Sequence, residues 1–217
     1  MSDRTLHDEI MNELDFEPRV NAAHIGVIVE KDVVTLSGHV SSYAEKLAAE
    51  DAVRRVRCVR AIATEIEVRY PSDKKTADDE IARRALDILA WDATIPRNAV
   101  KITVHDGRVT LSGDVNWQFE RRAAEDQVRK LTGVNAIINN IRIRPSAHTG
   151  DVKVHIEDAL KRSAEIEANA IAVSVDGGTI ALDGVVRNWA EREAAERAAW
   201  SAAGVTAVRN RLAIRQR

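Results

Sequence analysis

One short string constrains this chain more than anything else in it. Val34-Thr35-Leu36-Ser37-Gly38 returns as Val109-Thr110-Leu111-Ser112-Gly113, and more loosely as Ile180-Ala181-Leu182-Asp183-Gly184. Counted from each glycine, the surrounding chain aligns without a gap. Seven residues on stand Glu45, Glu120 and Glu191, and twelve on stand Glu50, Glu125 and Glu196, each of these last three after an Ala-Ala pair. Twenty-one on are Val59, Val134 and Val205, and twenty-eight on are Ile66, Ile141 and Leu212. The glycines lie 75 and then 71 residues apart. Self-similarity in one register means several copies of one supersecondary unit rather than one large core. The chain reads as three such copies.

Each copy follows the same grammar. A helical period opens it: Leu6, Ile10, Met11 and Leu14 share a face in copy one, Ile81, Ala85, Ile88 and Leu89 in copy two, and Val152, Ile156 and Leu160 in copy three. Two strands with period-two alternation follow. In copy two Val100, Ile102 and Val104 face one way and Lys101, Thr103 and His105 the other. Asp106-Gly107 then supplies the positive φ angles of a tight hairpin, as Asp176-Gly177-Gly178 does in copy three. Copy one has Lys31-Asp32 there instead. The second strand is expected to close at the repeated glycine.

A second helix comes next. Ser42-x-x-Glu45 and Asn188-x-x-Glu191 have the capping-box form, in which the Glu reaches back to the cap amide. Copy two has Trp117 at the cap position, so Asn116 is expected to cap and to move the helix start by one residue. Alanines let this helix lie close to the sheet: Ala48 and Ala52 with Val56 in copy one, and Ala123 with Val128 and Leu131 in copy two. Cys58, Gly133 and Gly204 are expected at its C-terminal end. A third strand, at 62–68, 137–143 and 208–214, completes each copy. The hairpin makes the first strand pair antiparallel, and the helical crossover makes the second parallel. The expected fold is α+β: three tandem two-layer α-β-β-α-β units, each with two helices on a three-stranded mixed sheet. Domain boundaries are expected at 1–72, 76–146 and 150–217, with polar linkers at 71–76 and 145–150.

Composition narrows the function. Hydrophobic residues are 45% and charged residues 30% of 217, which suits a folded chain. Aromatics are only 4%, and units this small cannot enclose a large cofactor, so a sizeable site must lie on a surface or between copies. The net charge of −2 lacks the basic excess of a nucleic-acid-coating protein, so no nucleic-acid partner is expected. The first residues show neither a basic nor an apolar segment of the secretory kind, and a cytoplasmic location is expected. No apolar run reaches the roughly 18 residues of a membrane span. There is no P-loop, no G-x-G-x-x-G, no nucleophile elbow and no close His/Cys/Asp grouping with metal-ligand spacing. No catalytic residue, cofactor or metal is therefore expected, and the chain reads as a non-enzyme.

The repeated residues resemble the BON domain, named for bacterial OsmY and nodulation proteins. The V-T-L-S-G strand, the Glu and Ala-Ala-Glu of the following helix and a closing Gly-Val-x-x-Val/Ile-x-Asn carry the resemblance. The closing pattern stands as Gly133-Val134-Asn135-Ala136-Ile137-Ile138-Asn139 and Gly204-Val205-Thr206-Ala207-Val208-Arg209-Asn210. Copy one departs from it at Cys58 and Thr64, and copy three departs from the strand motif at Ala181 and Asp183. The resemblance implies a non-catalytic module of osmotic or envelope stress that binds anionic phospholipid surfaces or protein partners. A small-ligand or potassium-sensing module is the alternative it implies.

Each candidate for chemistry has a structural counterpart. Glu45, Glu120 and Glu191 precede Glu50, Glu125 and Glu196 by five residues, about 140° around a helix, so the carboxylates do not converge. The first set suits capping. His24 and His39 flank the first hairpin and are placed to meet in space. Cys58 stands where the other copies have glycine, and filler at the end of a helix suits it better than a reactive thiol. Gly38, Gly113 and Gly184 precede a helix start, where an anion can bind, though capping by Ser or Asn is the plainer use. Trp117 and Trp189 at the second helix start, and Arg209, Arg211, Arg215 and Arg217 sharing one face of the last strand, are the candidate binding residues.

Overall fold

The structure, a computed structural model, describes residues 2–70, 76–145, 152–163, 166 and 168–215. Both expected linkers lie largely outside these residues, as does Arg217. Repeat one comprises α1 (Asp3–Phe16), β1 (Ile25–Glu30), β2 (Val33–Val40), α2 (Tyr43–Arg55) and β3 (Ala61–Val68). Repeat two has α3 (Asp78–Trp91), β4 (Val100–His105), β5 (Arg108–Val115), α4 (Gln118–Val128) and β6 (Ala136–Ile143). Repeat three has α5 (Val152–Arg162), β7 (Ile171–Asp176), β8 (Thr179–Val186), α6 (Trp189–Trp200) and β9 (Ala207–Ile214). The three-stranded sheets run β1-β2-β3, β4-β5-β6 and β7-β8-β9. The hairpin pairs are antiparallel, and β2/β3 and β8/β9 are parallel. The described residues divide into two compact units, those of 1–113 with 120–141 and those of 114–119 with 142–217.

One sheet face is buried in each repeat. In repeat one Leu6, Ile10 and Leu14 of α1 and Ala49, Ala52 and Val53 of α2 cover Val34 and Leu36 of β2 and Ile66 of β3. Ile156 and Leu160, Ala195 and Ala199, and Ile180, Leu182 and Leu212 do the same in repeat three. Each buried Leu or Ile contributes about 1.5–3 kcal/mol, and a single-sided sheet must collect them all on one face. Small alanines at the contact bring α2 and α6 close enough to close so small a core. In α4 the buried stripe runs through Ala124 and Val128, one residue later than Ala123. In α2 it reaches Val53, while Val56 is the residue capping the C-terminal end.

Local chemistry explains most departures from the sequence reading. Lys31 and Asp32 both take positive φ, 49° and 64°, so repeat one makes the same two-residue turn as Asp106-Gly107 without a glycine. Each strand β2, β5 and β8 continues two residues past the repeated glycine. α4 starts at Gln118, in register with Tyr43 and Trp189, so Asn116 does not shift it. Cys58, Gly133 and Gly204 do have positive φ, at 72°, 95° and 88°. They lie beyond the helix ends, in the turn that leads to the third strand.

The first helix is also tied to the hairpin. Asp78, the first residue of α3, accepts from the turn amides of Asp106 and Gly107 at 2.8 and 2.9 Å. Asp3 of α1 accepts from Lys31 N–H at 3.3 Å.

Candidate binding surfaces

The carboxylates that recur in all three repeats serve structure. Ser42 Oγ accepts from Glu45 N–H at 3.1 Å, and Asn188 Oδ1 from Glu191 N–H at 2.9 Å, as capping requires. The Glu side chains reach one residue further back than a capping box predicts. Glu45 accepts from the backbone N–H and hydroxyl of Ser41 at 2.8 and 2.7 Å, and from Asn21 N–H at 3.0 Å. Glu191 accepts from Arg187 N–H at 2.6 Å. Burial pushes the Glu45 carboxyl up, but the Asn21 and Ser41 donors outweigh it and hold the group below the usual range. Glu120 is buried at the same position.

The second set has a different task, which the sequence reading missed. Asn139 Nδ2 donates to Glu125 Oε2 at 2.9 Å, and Asn210 Nδ2 to Glu196 Oε2, also at 2.9 Å. The Oδ1 of each Asn accepts from a backbone amide two residues on, Ile141 or Leu212, at 3.2 Å. Helix and third strand are thereby linked. Repeat one has Thr64 in place of the Asn, and there Glu50 approaches Arg54 at 3.8 Å instead. The paired appearance of Glu at twelve and Asn at twenty-six was the available signal.

The repeated glycines are close-approach positions within a strand. A Cβ at Gly38, Gly113 or Gly184 would lie 2.1, 2.0 or 2.0 Å from the carbonyl oxygen of His24, Ala99 or Ala170. Their φ angles are +110°, +132° and +143°. The space is filled by the protein's own backbone, which leaves no cradle for an anion. His24 and His39 do meet, with rings stacked at 4.7 Å and 17°. Near-parallel rings set their in-plane nitrogen lone pairs side by side, not toward a common point. Among the described residues no group of three or more His, Cys, Asp or Glu is placed to hold a metal ion. Cys58 is half-buried.

An ion-pair cluster follows α1. Glu17 accepts from Arg19 Nε at 2.7 Å and from Arg55 at 2.9 Å, while Arg55 also reaches Glu13 at 2.8 Å. The Arg19 and Arg55 guanidiniums hold the Glu17 carboxyl at about 2.

The candidate surface residues fall in several places. Trp117 is 40% exposed and stacks on Phe119 with ring centroids 6.4 Å apart. Trp189 is half-buried, with the Arg192 guanidinium 5.1 Å from its ring centroid. Arg209, Arg211 and Arg215 are exposed along one face at β9, and Arg211 approaches Asp183 at 3.7 Å. The most exposed aromatics are two others, Phe16 at 81% and Trp91 at 88%. They occupy one register position, 22 residues before the glycine, each ending the first helix of its repeat. Each stands two residues past the last core leucine, Leu14 or Leu89. That spacing is about 200° around a helix, so it turns the ring away from the core.

Comparison with known proteins agrees with the repeat. The family model for the BON domain matches at residues 2–70, 77–145 and 148–216. The chain is 27% identical over 153 residues to the osmotically-inducible protein Y of Escherichia coli (strain K12), covering 66% of this chain and 74% of that protein. Among solved structures, one of CdsD, a structural protein of the type III secretion system of Chlamydia trachomatis, is 16% identical with a TM-score of 0.27, over 97% of this chain and 92% of that one. The C-terminal domain of CdsD is 15% identical with a TM-score of 0.27 over the whole of both chains. At that score neither likeness bears on arrangement or function. No helix among the described residues is long and apolar enough to cross a membrane. With the motif, the sheet order and the matches in agreement, the chain belongs to the BON domain family and carries three tandem copies, similar to osmotically-inducible protein Y.

Proposed function

We propose that this chain is a non-catalytic surface-binding protein of the osmotic or envelope stress response that docks on anionic phospholipid. The observation that carries the reading is the matched pair Phe16 and Trp91, two large aromatics held in solvent at one register position. Trp is enriched at membrane–water interfaces, and Trp and Phe both serve on the apolar face of interfacial helices. The face of β9 with Arg209, Arg211 and Arg215 supplies positive charge, each arginine contributing about 1 kcal/mol near an anionic leaflet. Trp117 and Trp189 are the further aromatics to test. A protein partner in place of lipid is the reading left if neither kind of vesicle pellets the chain.

Co-sedimentation with phosphatidylglycerol and with phosphatidylcholine vesicles tests the reading. Pelleting is expected only with the anionic lipid, and is expected to fall in F16S/W91S and, separately, in R209E/R211E. Equal pelleting with both lipids, or none with either, removes the lipid reading. Cell fractionation tests the cytoplasmic location.

A further inference from the structure

The sheet of each repeat buries one face and leaves the other in solvent, and the open faces of repeats one and two differ at matched positions. On the open face of repeat one stand Ile28 and Val33, 56% and 41% exposed, with the exposed carboxylates Glu30 and Glu65. Seventy-five residues on, Lys101 replaces Gly26, Arg108 replaces Val33, and Ile138, 42% exposed, replaces Ala63. Glu67 and Arg142, on the same two faces, are already paired with Arg69 and Asp114. Glu30, Glu65, Lys101 and Arg108 make no side-chain hydrogen bond or ion pair among the described residues. Each face therefore sets exposed apolar side chains beside uncompensated charge, negative on repeat one and positive on repeat two. Apolar groups held in solvent within a polar rim mark an interaction surface.

The two patterns fit each other. Sheets that pack face to face keep their strands nearly aligned. Bringing two faces together turns one of them over, so its first-strand edge meets the last-strand edge of the other. Glu65 lies on the β3 edge in the row of Ser37, and Lys101 on the β4 edge in the row of Ser112. Ser37 and Ser112 are one position of the repeat, so with the hairpins at the same end Lys101 lies opposite Glu65. Ile28 shares the row of Thr35, as does Ala63, whose position Ile138 takes. Ile138 on the β6 edge then lies opposite Ile28 on the β1 edge. Arg108, on the middle strand, covers Val33 and stands one strand spacing, about 4.8 Å, from the line of Glu30. An arginine can lay its stem on apolar surface while its head reaches a charge. Two copies of the acidic face, or of the basic one, would instead set like charges together. Repeat three has Ala172 and Arg209 at the positions of Lys101 and Ile138, so its face offers neither contact.

We infer that the open sheet face of repeat one docks on the open sheet face of repeat two in a second copy of this chain. The pairs Lys101 with Glu65 and Arg108 with Glu30 set the register, and Ile28, Val33 and Ile138 form the apolar centre. A three-stranded face is small beside the roughly 800 Å² that each partner buries in a standard interface, so the association is weak and reversible. Its charges lie at the surface, so salt weakens it. None of these residues carries the lipid reading, and the inference is independent of it.

Sedimentation equilibrium of the full chain, without lipid, over a concentration series at low and at high salt tests it. The mean mass is expected to rise above that of one chain as concentration increases, and to fall back at high salt. E65K and K101E, both at exposed positions, are each expected to weaken self-association about tenfold with an unchanged melting temperature. An equimolar mixture of E65K and K101E is expected to restore it, because the reversed face of one variant then meets the reversed face of the other. I28S is expected to weaken it at either salt concentration. A chain that stays monomeric at every concentration, association that neither E65K nor K101E changes, or a mixture that associates no better than its two components overturns the inference.

Discussion

The side-chain amide of Asn139 donates to Glu125 at 2.9 Å and so fastens the second helix of repeat two to its last strand. Asn210 and Glu196 repeat the bond, and repeat one lacks it because Thr64 stands in place of the Asn. A hydrogen bond to a charged group is worth about 1.5–3 kcal/mol. N139A is expected to destabilise by that order, and T64N to stabilise repeat one by about 1 kcal/mol through a new bond to Glu50. A double-mutant cycle with E50A in urea denaturation checks the second effect, since T64N should give nothing once the acceptor oxygen at position 50 is gone.

Gly113→Ala is expected to be among the most damaging small substitutions. The methyl would lie 2.0 Å from the Ala99 carbonyl oxygen, at a φ of +132°. Strain and overlap together are expected to cost about 3 kcal/mol or more. The denaturation midpoint measures it, and G177A, with open space at its Cβ position, is the smaller control.

Repeat one carries side chains where glycine is at ease. Cys58 has φ 72° where Gly133 and Gly204 serve, and Asp32 has φ 64° where Gly107 serves. C58G and D32G are each expected to stabilise by about 1 kcal/mol. A rise in melting temperature for each, roughly additive in the pair, checks this.

Acid is expected to weaken repeat one through Glu17. Its carboxyl is held at about 2, below the ordinary 4.5, by Arg19 and Arg55. A depressed folded-state pKa contributes stability above the unfolded value and loses it as pH falls through the folded one. The contribution is whole above 4.5 and fades between 4.5 and about 2. E17Q should be less stable than the parent at neutral pH, and the gap should narrow across that window. Urea midpoints at several pH values would show it, and a constant gap would refute the assignment.

The architecture was legible because the repeat aligned three weak patterns. Asp106-Gly107 explained a hairpin that Lys31-Asp32 alone would have left doubtful. What escaped notice depended on contacts distant in sequence. Capping explained Glu45 but not Glu125, whose partner Asn139 arrives on another element fourteen residues later. The repeated glycine looked like the end of a strand because its true neighbour, the carbonyl of the residue just before the adjacent strand, has no side-chain signature. The exposed ring of Phe16 has a weak signal because it closes an apolar period, although a spacing of two from Leu14 turns it outward.

The Asp78 carboxylate has a dynamic consequence. It binds turn amides 28 and 29 residues away, closing a ring that contains the whole first helix and the first strand. The helix cannot leave the sheet without releasing both amides, and the turn cannot open without freeing the start of the helix. Protection of the Asp106 and Gly107 amides therefore reports on the docking of α3, and the hairpin and helix of repeat two should exchange with solvent as one body.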